Sequence, residues 1–333
     1  MKTALLLLFF TVECKTIKGA DVIQQEWLNF QKLFRRNYDA PGESDKRFSI
    51  FKENLLKISS HNDLYDAGNV THKLGVNQFA DWTAEEFAAY VNKFQINTTK
   101  IDAKIYQSGE KNPAIPDSCD WRLQWAVTDV RNQGHCGSCW AFSAAGALEG
   151  QAQIALGKRL RLSEQNLVDC ADESYGNYGC NGGDSNAAFL YVKSSGIQSE
   201  ETYPYVATQG ECRQKSAELY VDDFYFVGGT EEALKEAVAS LGPVSVAIES
   251  TTELQHYTEG VFFDRTCTNR LNHGVLAVGY GAENGQDYWL IKNSWGSSWG
   301  EQGYFRMVRN MYNNCGIASY ATVPVVSERK RSD

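Results

Sequence analysis

The sequence predicts an α+β chain: a helical leading segment, then a two-lobed body, helical in its first half and antiparallel β in its second. Three observations predict it. A strongly charged stretch over 21–65 carries apolar residues at helical spacing. A proline-free, mostly apolar run extends from Ser138 to about Leu156 and stops at Gly157. Later, Val244–Ile248, Val275–Tyr280, Tyr288–Lys292 and Tyr304–Val308 form short apolar or alternating runs with glycine-bearing turns between them. Helices gathered in one half and strands in the other imply two lobes, and a cleft between lobes is where sites form.

The chain has 333 residues, net charge −9 and 43% hydrophobic residues, enough for one large or two modest cores. Its acidity argues against nucleic acid as a partner. Residues 1–14 read as a secretory signal: Lys2 is the positive end, Ala4–Val12 the apolar run, and Val12 and Cys14 are small residues before a cut. Nine apolar residues are too few to span a bilayer as a helix. Export permits disulfides.

In 21–65, Trp27, Phe30, Leu33 and Phe34 fall at helical spacing. Glu43, Arg47, Ile50, Phe51, Asn54, Ile58 and Asn62 then lie on or near one helical face. An amphipathic helix accounts for the apolar members and leaves the polar ones unexplained. Gly75-Val76-Asn77-Gln78-Phe79-Ala80-Asp81 follows. Asn69 and Asn97 head glycosylation sequons, and none occurs from Ile115 onward. Residues 95–114 are polar and aperiodic and read as a linker. From Ile115 to the end, 17 lysines and arginines face 27 aspartates and glutamates, so the body carries the acidity.

The chemistry centres on Gln133-Gly134-His135-Cys136-Gly137-Ser138-Cys139-Trp140. Cys139 falls at the start of the long helix, where unpaired N–H groups and the positive dipole end favour a thiolate, the form that acts as a nucleophile. Cys-x-x-Cys could instead be a redox pair or half of a zinc site. The aromatic residue follows the second cysteine rather than preceding the first, and no second Cys/His pair at short spacing supplies further ligands, so no metal is expected. Five histidines are present: His61, His72, His135, His256 and His273. The first two belong to the leading segment, His135 is local to the cysteine, and His256 sits among core residues. His273, at +134 from Cys139, starts a predicted strand, and Asn293 lies at +154 within Lys292-Asn293-Ser294-Trp295-Gly296. Ser163 precedes a second helix as its N-cap.

Cys-Gly-Ser-Cys-Trp with a distant His and Asn resembles the papain and cathepsin signature. Together with the two leading motifs, the chain resembles a papain-family cysteine protease zymogen of the cathepsin L-like branch. The resemblance implies a papain-like fold, a helical lobe (mainly 125–225) packed on an antiparallel β-barrel-like lobe (mainly 226–326), preceded by a helical prodomain. It implies residues 15–114 as inhibitory prodomain and linker and 115–333 as the peptidase. It assigns Cys139 as nucleophile, His273 as base, Asn293 as the residue orienting His273 and Gln133 as an oxyanion donor. Gly182, Gly183, Asp184, Ser185, Ala247, Leu271, Asn272, Trp295 and Tyr320 are implied at the substrate cleft, and Asp184 is expected to make basic side chains tolerable there. The implied disulfides are Cys136–Cys180, Cys170–Cys212 and Cys267–Cys315, leaving Cys119 as a small buried hydrophobe. Substrates would be proteins and peptides. The prodomain would be an intramolecular inhibitor, cystatin-like proteins further inhibitors, the chain a monomer without cofactor, and its destination lysosomal or extracellular. A catalytically silent binding or storage homologue is the alternative, countered by the presence of all four chemical positions.

Overall fold

The computed structural model describes residues 21–96, 104–106 and 115–327; Asn97, the signal stretch and most of the linker lie outside them. Two helices open the chain, α1 (21–33) and α2 (Glu43–Asp66). Trp27 and Phe30 of α1 meet Phe51 of α2 at ring separations of 5.2 and 5.0 Å, a small aromatic core separate from the main one. Glu43 and Asp45 occupy the first turn of α2, where the helix dipole favours acids.

The polar residues on α2's face now have a physical reason. Asn54 donates to the carbonyls of Ala80 and Trp82, at 3.0 and 2.9 Å. Asn62 both donates to the Leu74 carbonyl and accepts from its N–H. Arg47 binds Glu43, Glu86 and the Asp81 carbonyl. These side chains satisfy the backbone of the strap that follows, which has little regular structure of its own to do so. The strap begins with β1 (His72–Leu74) and leads to α3 (Ala84–Val91), whose start is fixed by a Thr83/Glu86 capping box. Asp81 accepts from Tyr38 at 2.6 Å and lies 3.5 Å from Arg36.

The body then runs β2 (Lys104–Tyr106), β3 (Cys119–Asp120), α4 (Cys139–Leu156), α5 (Glu164–Cys170), α6 (Ser185–Ser195), β4 (Asp223–Val227), α7 (Glu231–Leu241) and β5 (Val244–Ile248). It ends with α8 (Thr252–Gln255), β6 (Tyr257–Phe262), β7 (His273–Glu283), β8 (Gln286–Lys292), β9 (Tyr304–Val308) and β10 (Ala321–Val325). The expected helix and the four expected strands are all present. Helix α4 is buried nearly all round, and Gly157 ends it with φ 65°. Gly146 lets strand β7 come close: a Cβ there would sit 2.8 Å from the Leu276 side chain. Ser163 caps α5 by accepting from the Asn166 N–H.

Ten strands form one sheet, in the order β1-β6-β9-β8-β7-β5-β10-β4-β2, with β3 on β7. This corrects the barrel-like expectation, since among the described residues the sheet stays open between β1 and β2. Two pairings are also parallel, β6 with β9 and β2 with β4. The stretch expected to be wholly linker contributes β2. At the opposite edge, β1 of the leading segment extends the body's sheet by pairing with β6. All three disulfides pair as the resemblance implied, and Cys119 is a free, half-buried thiol on β3.

Candidate active site

Ser138 precedes the first turn of α4, so Cys139 takes the helix's first position, fully buried. The N–H groups of Gly274, Trp140 and Cys139 itself reach toward its sulfur. Burial nevertheless dominates and pushes the thiol up to about 11, against the pull of those N–H groups and of Lys93. His273 opens β7, and the next residue, Gly274, packs on Cys139: a Cβ there would stand 3.2 Å from the Cys139 carbonyl. Two lobes thus meet at one point, the helix start and the strand start.

His273 Nε2 donates to Asn293 Oδ1 at 2.8 Å, because an amide oxygen can only accept. Nδ1 is therefore the unprotonated nitrogen of the neutral ring, and it is buried without a hydrogen-bond partner among the described residues. Burial lowers the ring's pKa to about 4, and the Asn293 bond opposes this. Trp295 stacks on the ring at 4.8 Å and shields the His–Asn bond.

Gln133 is held from two sides. Its Oε1 accepts from the Ser294 hydroxyl at 2.6 Å, and its Nε2 donates to the Cys136 carbonyl at 3.0 Å. One amide hydrogen remains for a ligand. Ser294 stands beside Asn293 in the sequence, but an isolated serine carries no signal of what it positions.

The leading segment fills the cleft. Phe79 and Phe87 meet Trp295 edge-on at 5.4 and 5.5 Å, and Trp82 stacks on His135. Lys93 and Phe94 donate from their N–H groups to the Asn272 carbonyl on one lobe. On the other lobe, Gly183 donates to Lys93 at 3.0 Å and accepts from Gln95 at 2.9 Å, in a parallel bridge. At Gly182, φ is 120° and a Cβ would lie 2.3 Å from the Lys93 carbonyl, so only glycine admits the strand. Phe94 itself meets Tyr320 edge-on at 5.7 Å and lies beside Gly274. No motif singled out Lys93 or Phe94.

Of the expected cleft residues, Gly182, Gly183 and Asn272 contact the segment through backbone, and Tyr320 through its ring. Ala247 and Ser185 are fully buried nearby: Ala247 donates to the Tyr320 carbonyl, and Ser185 accepts from Ser245. Leu271 lies close to Gly316, where a Cβ would meet it at 2.7 Å. Asp184 needs correction. Its Oδ1 caps α6 through the Asn186 N–H, and its Oδ2 accepts from Tyr320. The carboxylate is fully buried and committed to the fold, so it does not present a charge to a substrate.

The strand that carries the amide-held imidazole continues directly into the glycine packed on the helix-start cysteine. Residues 115–325 match the papain family cysteine protease model, and residues 27–87 match the cathepsin propeptide inhibitor domain. The chain belongs to the papain family of cysteine proteases. It is a cathepsin L-like peptidase with its propeptide attached. It is 45% identical over 340 residues to a cathepsin L-like peptidase of Aedes aegypti, covering 98% of this chain and 100% of that protein. Bovine cathepsin S is 43% identical over 91% of this chain and 93% of its own length. Among solved structures, digestive procathepsin L 3 of Tenebrio molitor larval midgut superposes with TM-score 0.86 at 46% identity, covering 91% of this chain and 99% of that one. The papain-family fold here is the zymogen's, with the propeptide seated as an intramolecular inhibitor.

Proposed function

We propose that this papain-family chain is a secreted or lysosomal endopeptidase that cuts peptide bonds through a Cys139–His273 pair once residues 15–114 are removed from the 115–333 peptidase. His273 Nδ1 takes the Cys139 thiol proton. The thiolate attacks the peptide carbonyl, and the sulfur–carbon bond forms as the carbonyl oxygen becomes an oxyanion. The free Gln133 amide hydrogen and the Cys139 N–H stabilise that oxyanion. The imidazolium then returns its proton to the leaving amine as the carbon–nitrogen bond breaks. Water, deprotonated by His273, hydrolyses the acyl-enzyme and releases the thiol. Asn293 fixes the ring through Nε2 throughout and, being neutral, orients it without a second charge.

The propeptide inhibits in two ways. Phe94 lies beside Tyr320, and its strand runs parallel to Gly183, opposite to a chain pairing there antiparallel. Cover by Phe79, Phe87 and Tyr90 also keeps Cys139 and His273 dry, which favours thiol and neutral imidazole over the ion pair. Uncovering the site restores the ion pair. With Asp184 turned into the fold, the pocket beside Tyr320 accepts apolar side chains before basic ones. The signal stretch and the sequon at Asn69 fit a secretory route.

The observation that carries this reading is the His273 Nε2–Asn293 bond under Trp295, which leaves Nδ1 as the buried base. The test is active-site titration with an epoxide thiol inhibitor after acid processing. One equivalent should label Cys139 and abolish peptide hydrolysis. A processed, folded chain that takes up no label would be a silent homologue, and the reading would fall.

A further inference from the structure

We propose that His61, His72 and Glu253 form a divalent-metal site of zinc type that staples the propeptide to the β lobe. The three residues come from three elements. His61 lies on α2, His72 on β1 and Glu253 on α8 of the peptidase. Their ligand atoms all lie within 4.8 Å of one another, the one such His/carboxylate group among the described residues. Asn62, bound at both ends of its amide to Leu74, clamps α2 against β1 and so sets His61 beside His72.

Tautomer chemistry points to a cation. His61 Nε2 lies 2.9 Å from the His72 carbonyl, and a carbonyl can only accept, so Nε2 carries the hydrogen. In a neutral ring, Nδ1 then turns a lone pair toward Glu253 Oε2, 3.6 Å away. Two electron-rich atoms at that distance call for a positive charge between them. Zinc with ligands at about 2.0–2.1 Å in tetrahedral array sets its ligand atoms about 3.3 Å apart, close to the His61–Glu253 spacing, and His72, within 4.8 Å of both, would close in on the ion. A backbone carbonyl accepting from the far nitrogen is also the usual partner of a metal-bound histidine.

His72 supplies the independent observation. It is 2% exposed, and neither ring nitrogen has a hydrogen-bond partner. A proton on His61 would satisfy Glu253 and leave His72 unanswered; a metal ion answers all three residues. The site opens on a cavity of about 370 Å³ also lined by Asp264 and Arg265. Asp264 is occupied by Thr251 and Thr266, so it adds field rather than a ligand. Water would take the fourth position.

The test uses the full-length chain carrying Cys139→Ala, which removes the competing thiol and makes metal binding independent of peptidase activity. Zinc chloride is titrated calorimetrically at pH 7.5 into this chain and into the same chain with Glu253→Gln or His61→Gln. One zinc per chain is expected, weakened at least 10-fold by either substitution, with unliganded melting temperatures unchanged. Cobalt on the parent chain should give the strong visible d–d bands of tetrahedral nitrogen/oxygen coordination, a readout that needs no further variant to fold. Absence of stoichiometric binding, affinity indifferent to both substitutions, or an octahedral cobalt spectrum would overturn the site.

Discussion

At the residue scale, the proposed mechanism depends on what holds Gln133 and His273 still. Gln133→Ala should lower kcat/KM about 10²–10³-fold, mostly in kcat, because the lost donor acts on an oxyanion present only in the transition state. Ser294→Ala should show the same split more weakly, since it frees the Gln133 amide to rotate. Steady-state kinetics on processed enzyme check both. Reactivity of Cys139 offers a second test. In the zymogen the thiol is raised to about 11 and His273 lowered to about 4, both by burial, so at pH 7 both are neutral. Alkylation by iodoacetamide at pH 7 should be slow in the zymogen and many-fold faster after processing. Equal rates before and after would refute the dry-site account. The residues proposed to be catalytic were legible in sequence because that chemistry fixes their types and spacing. Asp184 misled because a sequence shows a charge but not the helix terminus and phenol that consume it.

At the element scale, the propeptide strap is held by side chains of α2 reaching backbone groups. Asn54→Ala would leave the Ala80 carbonyl without its donor and the Trp82 carbonyl with only the 3.3 Å bond from Gln255, a cost of about 1–3 kcal/mol if the Ala80 carbonyl stays dry. The propeptide should then release at higher pH, read as the pH of half-processing on gels. Glu86 acts in the same direction. Burial raises its pKa, but hydrogen bonds from Arg47 and the Thr83 N–H, with Arg47's charge, leave it below the ordinary glutamate value. A depressed carboxylate stabilises the fold above its unfolded pKa and loses that stability as pH falls through the folded value. Glu86→Gln should therefore flatten the acid limb of propeptide release. The α2 helix itself was legible from its period, and β1 was not, being three residues long with no alternation to read. Lys104–Tyr106 likewise escaped, because its strand identity comes from its neighbour β4 and not from its own pattern.

At the scale of the whole molecule, buried histidines govern acid stability. Burial lowers His256 and His273 to about 4 from an ordinary 6.5. The unfolded chain then binds protons first, so stability is full above pH 6.5 and declines as pH falls toward 4. Each ring contributes on the order of 3 kcal/mol to that decline. Urea unfolding of the Cys139→Ala chain should show a lower midpoint at pH 4.5 than at pH 7, and His256→Gln should shrink the difference. An unchanged difference would remove His256 from the account. The two-lobed division was readable because helices and strands are segregated along the chain. Sheet closure was not, since the number of strands says nothing about whether the first meets the last.

Helix α2 grips the strap from Leu74 to Trp82 by its peptide groups, through Asn54, Asn62 and Arg47. Such a grip is indifferent to most of the side chains it passes over. A change to another apolar side chain at Val76, half-buried against the small aromatic core, should leave latency intact, whereas shortening the strap by one residue would slide every carbonyl out of reach of its amide and wake the enzyme early.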